Sequence, residues 1–355
     1  SGRNLPEISR KTIRTFYSKQ TNTFGLLLKH YFFNNLKFVL AILWLIAGQI
    51  SIAAQENVLV ERQITLMGSM FNITVVDRDS TVANHNIDRC IDEITRIENL
   101  ISEWQPQTQI SEVNRNAGIK PVKVDREVFE LTERAIEYSK MSEGAFDISI
   151  VALDKIWKFD GSMTEMPSEE SIKNSVRNVN YQFIKLDRDS STIFLQQKGM
   201  KIGFGSIGKG YAADKGREIL QKLGIKSGIV NASGDIATWG TQPNGKPWAI
   251  GIRNPFKKHK ISKILKLKHG AVATSGSYEK YAEIDGVRYS HIINPKTGFP
   301  ATGLTSVTIY GSSAEFSNAL STSIMVLGKE KGKNLALQFP HYGFLFITDQ
   351  GKIIR

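Results

Sequence analysis

One cysteine in 355 residues, Cys90, excludes a scaffold built on disulfides, because a lone thiol closes no internal bridge. Linker-like composition is absent between Gln55 and Arg355, and no repeat period shows there, which excludes tandem arrays and strings of tethered modules. Apolar runs long enough for a membrane are scarce, so a polytopic membrane protein is excluded as well. With 41% hydrophobic residues the chain is too apolar for disorder, and its length permits one large domain or two with a substantial core.

Acidic residues are nearly missing from the beginning of the chain. Up to Lys37, Glu7 stands against seven basic residues, so this stretch holds half of the formal net charge of +12. An uncharged run from Phe38 to Gly48 follows, then small residues from Ser51 to Ala54. A cationic region, a short apolar core and small residues at the exit form the profile of a signal peptide. An uncleaved N-terminal anchor is the alternative, and either reading places the remainder outside the cytoplasm. Residues 1–54 are therefore read as leader or anchor and 55–355 as the working body. A second basic stretch, from Lys257 to Lys268, is interleaved with Ile261, Ile264, Leu265 and Leu267. It lacks the aromatic interleaving of a nucleic-acid surface, so it reads as a solvated face and no nucleic-acid partner is expected.

Within the body, apolar residues alternate from Val58 to Asp77 around Met67-Gly68-Ser69, predicting a strand pair with a kink. Ile87, Ile91, Ile94, Ile97, Leu100 and Ile101 recur at helical steps, predicting one long helix that ends near Trp104 and buries Cys90 as an inert thiol. Further helices fit Arg126 to Met141, Glu169 to Arg177, Tyr211 to Leu223 and Ala314 to Leu327. Strands fit Ser227 to Val230, Trp248 to Ile252, Ser306 to Tyr310 and Gly343 to Thr348. Helices and strands mix without strict alternation, which predicts an α+β fold: one compact body, or two subdomains.

The densest chemical signal is Gly203-Phe-Gly205-Ser-Ile-Gly208-Lys-Gly210 ahead of a helix. Glycines let backbone amides approach a ligand, and a helix N-terminus suits phosphate. The spacing matches G-x-G-x-x-G, but a dinucleotide fold needs a βαβ unit ending on a ribose-binding acid. Here the next strand runs into Asn231-Ala-Ser-Gly-Asp235, another turn-rich cluster, so only half of that context is present.

Taken in order, Gly144-Ala-Phe-Asp147, the Gly203 to Gly210 loop, Asn231 to Asp235, Ala273-Thr-Ser-Gly276, His291-Ile-Ile-Asn-Pro-Lys-Thr-Gly298 and Ser317-Asn-Ala-Leu-Ser-Thr322 resemble the motifs of the ApbE family, the FAD:protein FMN transferases, over nearly all of Met67 to Gly328. Each motif is weak alone; their order and gaps make the set specific. The resemblance implies an extracytoplasmic enzyme, periplasmic or anchored to the outer face of the inner membrane. It would take FAD as substrate and, with Mg²⁺, move FMN onto a Thr or Ser of an acceptor protein, releasing AMP. The acceptor it implies carries a Thr-containing flavinylation motif and is a subunit of a membrane redox complex. It places the metal on Asn318, Thr322 and the carbonyl of Gly208. It places FAD against Met67, Trp104, Asp147, Gly205, Ser206, Lys209, Asn231, Asp235, Thr274 and Ser275, and catalysis on His291, Asp147 and Lys209.

The residues themselves admit other roles. Asp147 can cap the following helix, Trp104 can be a core aromatic at a helix end rather than a flavin platform, Asp235 can close a tight turn rather than bind adenosine, and Thr274 and Ser275 can be ordinary turn residues. Asn318 stands where the family has Asp, and hard Mg²⁺ ordinarily prefers a carboxylate, so weaker metal affinity is expected. That substitution also motivates two alternatives: an FAD pyrophosphatase with water as acceptor, and a noncatalytic FAD-binding protein.

Overall fold

The computed structural model describes residues 57–355 except Lys258, His259 and Glu279, so the leader expected over 1–54 lies outside the described residues. The alternation from Val58 onward builds a hairpin, β1 (Val58–Leu66) and β2 (Ser69–Asp77), with Leu66 opposite Ser69. The expected kink is a two-residue turn. Met67 and Gly68 both take positive φ, 51° and 65°, whose twist matches that of the flanking strands.

Helix α1 (Ser80–Ile101) starts on Asp79, whose carboxylate accepts from Thr81 N and Val82 N, and buries Ile87, Cys90, Ile94, Ile97 and Ile101. It stops three residues before Trp104, because Ser102 turns to extended backbone. Cys90 is fully buried, and burial with Glu93 nearby pushes its thiol up to about 12, as expected for an inert side chain. A short helix, α2 (Gln109–Arg115), and strand β3 (Val122–Lys123) lead into α3 (Arg126–Met141), whose bounds are those its periodicity predicts. A 3₁₀ turn follows at Ile148–Ala152, then α4 (Glu169–Ser175) and the strands β4 (Ile184–Asp187) and β5 (Thr192–Leu195). Strands β3, β5 and β4 form a small sheet, and its side chains share a core with α2, α3, Phe146, Ile148, Phe204 and Ile207.

Helix α5 (Gly208–Lys222) begins three residues earlier than expected, and two of its first three residues are glycines. Beyond it lie β6 (Ser227–Ala232), β7 (Asp235–Trp239), the hairpin β8 (Trp248–Arg253) with β9 (Ile261–Leu267), and β10 (Gly270–Gly276). A second hairpin, β11 (Tyr281–Ile284) with β12 (Val287–Ser290), precedes β13 (Leu304–Gly311). Helix α6 (Ala314–Leu337) continues ten residues past its expected end, broken at Gly328, where φ is 74°. Strands β14 (Gly343–Thr348) and β15 (Ile353–Ile354) complete the chain.

The main sheet has eight strands in the order β1-β2-β6-β7-β10-β13-β14-β15, and every neighbouring pair is antiparallel. No βαβ unit surrounds the glycine loop: the strand after α5 pairs antiparallel with β2. The dinucleotide reading of G-x-G-x-x-G fails on that topology. One face of the sheet packs on α1, α5 and α6, and the other is partly covered by the β8–β9 hairpin through Ile250, Ile252 and Leu265. Within the basic stretch Ile261–Leu267 is thus a strand with Leu265 buried, and Lys260, Lys266 and Lys268 are exposed. Among the described residues no helix is long and apolar enough to cross a membrane. The fold is α+β, as expected.

Candidate active site

The glycine loop is pressed between several elements, and its glycines mark where. A Cβ on Gly203 would lie 2.9 Å from Glu103 Cδ and from Val151 Cγ1, and its backbone N–H donates to Ile148 O at 3.0 Å. One glycine therefore joins the end of α1 to the 3₁₀ turn after Asp147. Gly208 faces Ile101 and Met67 at 3.3 and 3.4 Å, which brings the β1–β2 turn onto the start of α5. Met67 N–H is held by Glu98 Oε2 at 2.9 Å. Gly210 lies closest of all: a Cβ there would be 2.6 Å from Ala314 O, so the starts of α5 and α6 touch through backbone. Gly205, by contrast, is exposed with open space around its Cβ position, and Ser206 is half-buried. The loop is clamped at three glycines and open at one, and the open one leads into the α5 N-terminus.

Helix α6 is capped by Ser313, whose Oγ accepts from Phe316 N at 3.2 Å, and by Asp214 of α5, whose Oδ2 accepts from Ser313 Oγ, Ala314 N and Glu315 N at 2.8, 2.8 and 3.1 Å. Its Oδ1 accepts from Arg217 at 2.9 Å. No motif flagged Asp214, because its partners lie a hundred residues away. With α6 fixed, Asn318 and Thr322 fall one turn apart on one face. Asn318 Nδ2 donates to Asp235 Oδ2 in a short hydrogen bond, while Asn318 Oδ1 lies 3.4 Å from Thr322 Oγ1. Ser275 Oγ stands 3.1 Å from Thr322 Oγ1 and 2.8 Å from Ser321 Oγ, and Ser321 donates to Asn318 O at 3.0 Å.

Each hydroxyl has a single hydrogen, which orders this chain. Ser321 donates to the Asn318 carbonyl, so Ser275 donates to Ser321, while Thr322 Oγ1 donates to Asn318 Oδ1 with Ser275 Oγ also within its reach. Thr322 Oγ1 and Asn318 Oδ1 thus stand side by side, each keeping lone-pair capacity beyond that bond. Neighbouring ligands of an octahedral Mg²⁺ stand about 3 Å apart, close to the 3.4 Å seen here. Among the described residues no group of three or more His, Cys, Asp or Glu side chains could hold a metal. The donor set is amide and hydroxyl oxygen, which fits a hard cation. Lys209, half-buried in the first turn of α5, acts electrostatically on Asp235. Burial pushes the Asp235 carboxyl up to about 7, against the pull of Lys209 and the Asn318 hydrogen bond.

Several expectations change in detail. Asp235 does not close the β6–β7 turn: Asn231 Oδ1 does, accepting from Gly234 N at 2.8 Å across Ser233 and Gly234, both at positive φ. Asp235 is 5% exposed and turned toward Asn318. Thr274 and Ser275 are strand residues of β10, not turn residues, and they point to opposite faces. Only Ser275 meets α6, while Thr274 pairs with Thr308 at 2.8 Å on the other side. Asp147 is a cap: Oδ1 accepts from Ser149 N and Oγ at 2.8 and 2.6 Å, Oδ2 from Tyr181 N at 2.8 Å, and burial holds its pKa above the usual carboxylate range. Trp104 is no core aromatic. It is 77% exposed, with Lys155 Nζ 5.6 Å from its ring centre. Beside it Glu103 has its carboxyl raised by burial against the glycine loop.

His291 follows β12, and its Nδ1 lies 3.0 Å from Lys280 O. A carbonyl only accepts, so Nδ1 carries the hydrogen of the neutral ring and Nε2 holds the basic lone pair. The rest of that motif is anchored. Asn294 Oδ1 accepts from Lys296 N at 2.9 Å, Trp157 Nε1 donates to Gly298 O at 3.0 Å, and a Cβ on Gly298 would meet Ile172 O of α4 at 2.4 Å. Lys296 Cε lies 3.3 Å from the Cβ position of Gly144, joining this loop to the Gly144–Asp147 turn.

The same span is matched by known proteins. The model of the ApbE family matches residues 67–346. An FAD:protein FMN transferase of Klebsiella pneumoniae is 31% identical over 301 residues, covering 84% of this chain and 92% of that protein. The crystal structure of the ApbE protein of Thermotoga maritima superposes with a TM-score of 0.76 at 31% identity, over 84% of this chain and 97% of that one. The apo flavinyl transferase ApbE of Pseudomonas stutzeri gives a TM-score of 0.73 at 28% identity, over 84% and 93%. The glycine loop, the α6 face and the anchored histidine loop all lie inside the matched span, and on that match the chain belongs to the ApbE family.

Proposed function

We propose that this chain transfers the FMN half of FAD to a hydroxyl group of a protein, releasing AMP. The observation that carries the reading is the convergence of widely separated motifs on the N-terminus of α5, within a span that the family model matches end to end. That N-terminus, with Gly205 open in front of it and Lys209 in its first turn, is suited to the pyrophosphate of FAD. Asn318 Oδ1, Thr322 Oγ1 and the Gly208 carbonyl would hold Mg²⁺, which when bound stabilises charge developing on the phosphate oxygens. Trp104 offers an exposed ring for the isoalloxazine to stack on. His291 Nε2 takes the proton of the acceptor hydroxyl as its oxygen attacks the FMN phosphorus. The P–O bond to AMP breaks, and AMP leaves with the bond electrons.

The acceptor we favour is a threonine-bearing subunit of a membrane redox complex, and the place of action is outside the cytoplasm. The cationic and apolar leader supports that location. The test is incubation with FAD, Mg²⁺ and a domain carrying a threonine flavinylation motif, followed by mass spectrometry of the acceptor. A Mg²⁺-dependent gain of FMN less water is expected. AMP formation with an unmodified acceptor would replace the reading with FAD hydrolysis, and intact FAD with an unmodified acceptor would leave a binding protein.

A further inference from the structure

Asn318 brings an oxygen to the cation position but no charge, and a carboxamide can present either of two ends that are nearly equal in shape and opposite in character. We infer that Asp235 is a positioning residue that fixes which end of Asn318 faces Thr322 and supplies, one hydrogen bond behind it, the negative charge that Asn318 lacks. The inference rests on the metal reading above and concerns how this chain makes that site work.

The geometry is specific. Asp235 opens β7, immediately after the Ser233–Gly234 turn, and meets α6 across the helix-covered face of the sheet. When ionised, the Asp235 carboxylate only accepts hydrogen bonds, and it is the NH₂ end of Asn318 that rests on its Oδ2. Oδ1 is thereby turned to Thr322 Oγ1, at 3.4 Å. The opposite orientation would set two acceptor oxygens together on buried Asp235 and aim an NH₂ group at the cation. From the other side, Ser321 donates to the Asn318 backbone carbonyl and accepts from Ser275, whose Oγ lies 3.1 Å from Thr322 Oγ1. Asp235 and the serine pair thus hold Asn318 and Thr322 from opposite sides. A hydrogen-bonded carboxylate behind a ligand also makes that ligand a better donor.

Charge and orientation can be exchanged without changing shape, since Asp and Asn are isosteric. Mn²⁺ alone is titrated into the full chain and free Mn²⁺ is read by its EPR signal, alongside D235N and the exchange D235N/N318D. We expect D235N to weaken Mn²⁺ binding at least about tenfold, because the carboxamide is no longer oriented and the charge is gone. The exchange, which moves the carboxylate to position 318 and the amide behind it, is expected to bind within about threefold of the unaltered chain. An unchanged affinity in D235N overturns the inference, as does an exchange variant that binds no better than D235N. If the unaltered chain binds no Mn²⁺ at millimolar concentration, the metal reading itself falls and this inference with it. The exchange also separates orientation from folding: a position that only stabilised the fold would not be rescued by a second substitution that restores the charge.

Discussion

Asn318 Oδ1 and Thr322 Oγ1 lie 3.4 Å apart, one helical turn apart in sequence, so truncating either removes one oxygen of the proposed metal site while leaving the start of α6 its bonds to Ser313 and Asp214. Asn318→Ala and Thr322→Ala are each expected to slow FMN transfer more than about tenfold, or about 1.4 kcal/mol of transition-state stabilisation, and to raise the Mg²⁺ concentration needed for half-maximal rate. Steady-state rates across a Mg²⁺ titration check this, and unchanged rates in both variants would discard the site. His291 is held by the Lys280 carbonyl in the tautomer that leaves Nε2 basic. For His291→Ala we expect transfer to fall far more than FAD affinity, compared by flavin fluorescence titration; equal losses would make His291 a binding residue. Most of these residues were legible because each stands in a motif. Their directions were not: adjacent Thr274 and Ser275 point to opposite faces of one strand, and Asp214 reaches Ser313, Ala314 and Glu315 about a hundred residues further along the chain.

At the scale of elements, sequence reading succeeds where a side-chain period is strong and fails where packing demands small residues. Helix α3 and strand β14 have the bounds their patterns predict. Strand β10, Gly-Ala-Val-Ala-Thr-Ser-Gly, lacks the bulky β-branched run of an ordinary strand and was read only as a motif. It is nevertheless a central strand between β7 and β13, with Ser275 in contact with α6. The start of α5 was missed for a related reason. Glycine is a poor helix former, yet Gly210 lies within the helix because a side chain there would collide with the Ala314 backbone, and Gly208 leaves only tight room beside Ile101. Gly210→Ala tests that account. It replaces a poor helix former by the best one, so helix propensity alone predicts a gain of about 1 kcal/mol. We expect instead a loss of about 1–3 kcal/mol from overpacking, read by urea denaturation, together with slower transfer as α6 is displaced. A stabilised variant would show that α5 and α6 have room to separate.

For the whole molecule, burying carboxylates has a cost that depends on pH. Burial raises the pKa of Asp235 to about 7, while the unfolded chain returns it to the ordinary value near 3.8. The folded state therefore binds more protons than the unfolded state between those values, and the contribution of Asp235 to stability falls as pH rises through that window. D235N does not titrate. Without divalent cations its melting temperature relative to the unaltered chain is expected to climb from about pH 4 to about pH 7 and then level off. A difference that stays flat with pH, measured by thermal melts in matched buffers, would contradict that sign. The variant would thus gain in relative stability towards neutral pH while binding cations more weakly, an exchange common at functional sites.

The local sequence of this protein determined its α+β character, the hairpin at Met67 and Gly68, the long apolar face of α1 and the family to which its motifs point, because side-chain period, turn chemistry and motif order are properties of neighbouring residues. Only the tertiary structure decided that every pair in the main sheet is antiparallel, that α6 starts on a carboxylate of α5, and that Asp235 faces Asn318 rather than closing its own turn. Those outcomes depend on which distant segments exclude water from one another and on where buried polar groups find partners, and no local window of sequence contains both members of such a pair.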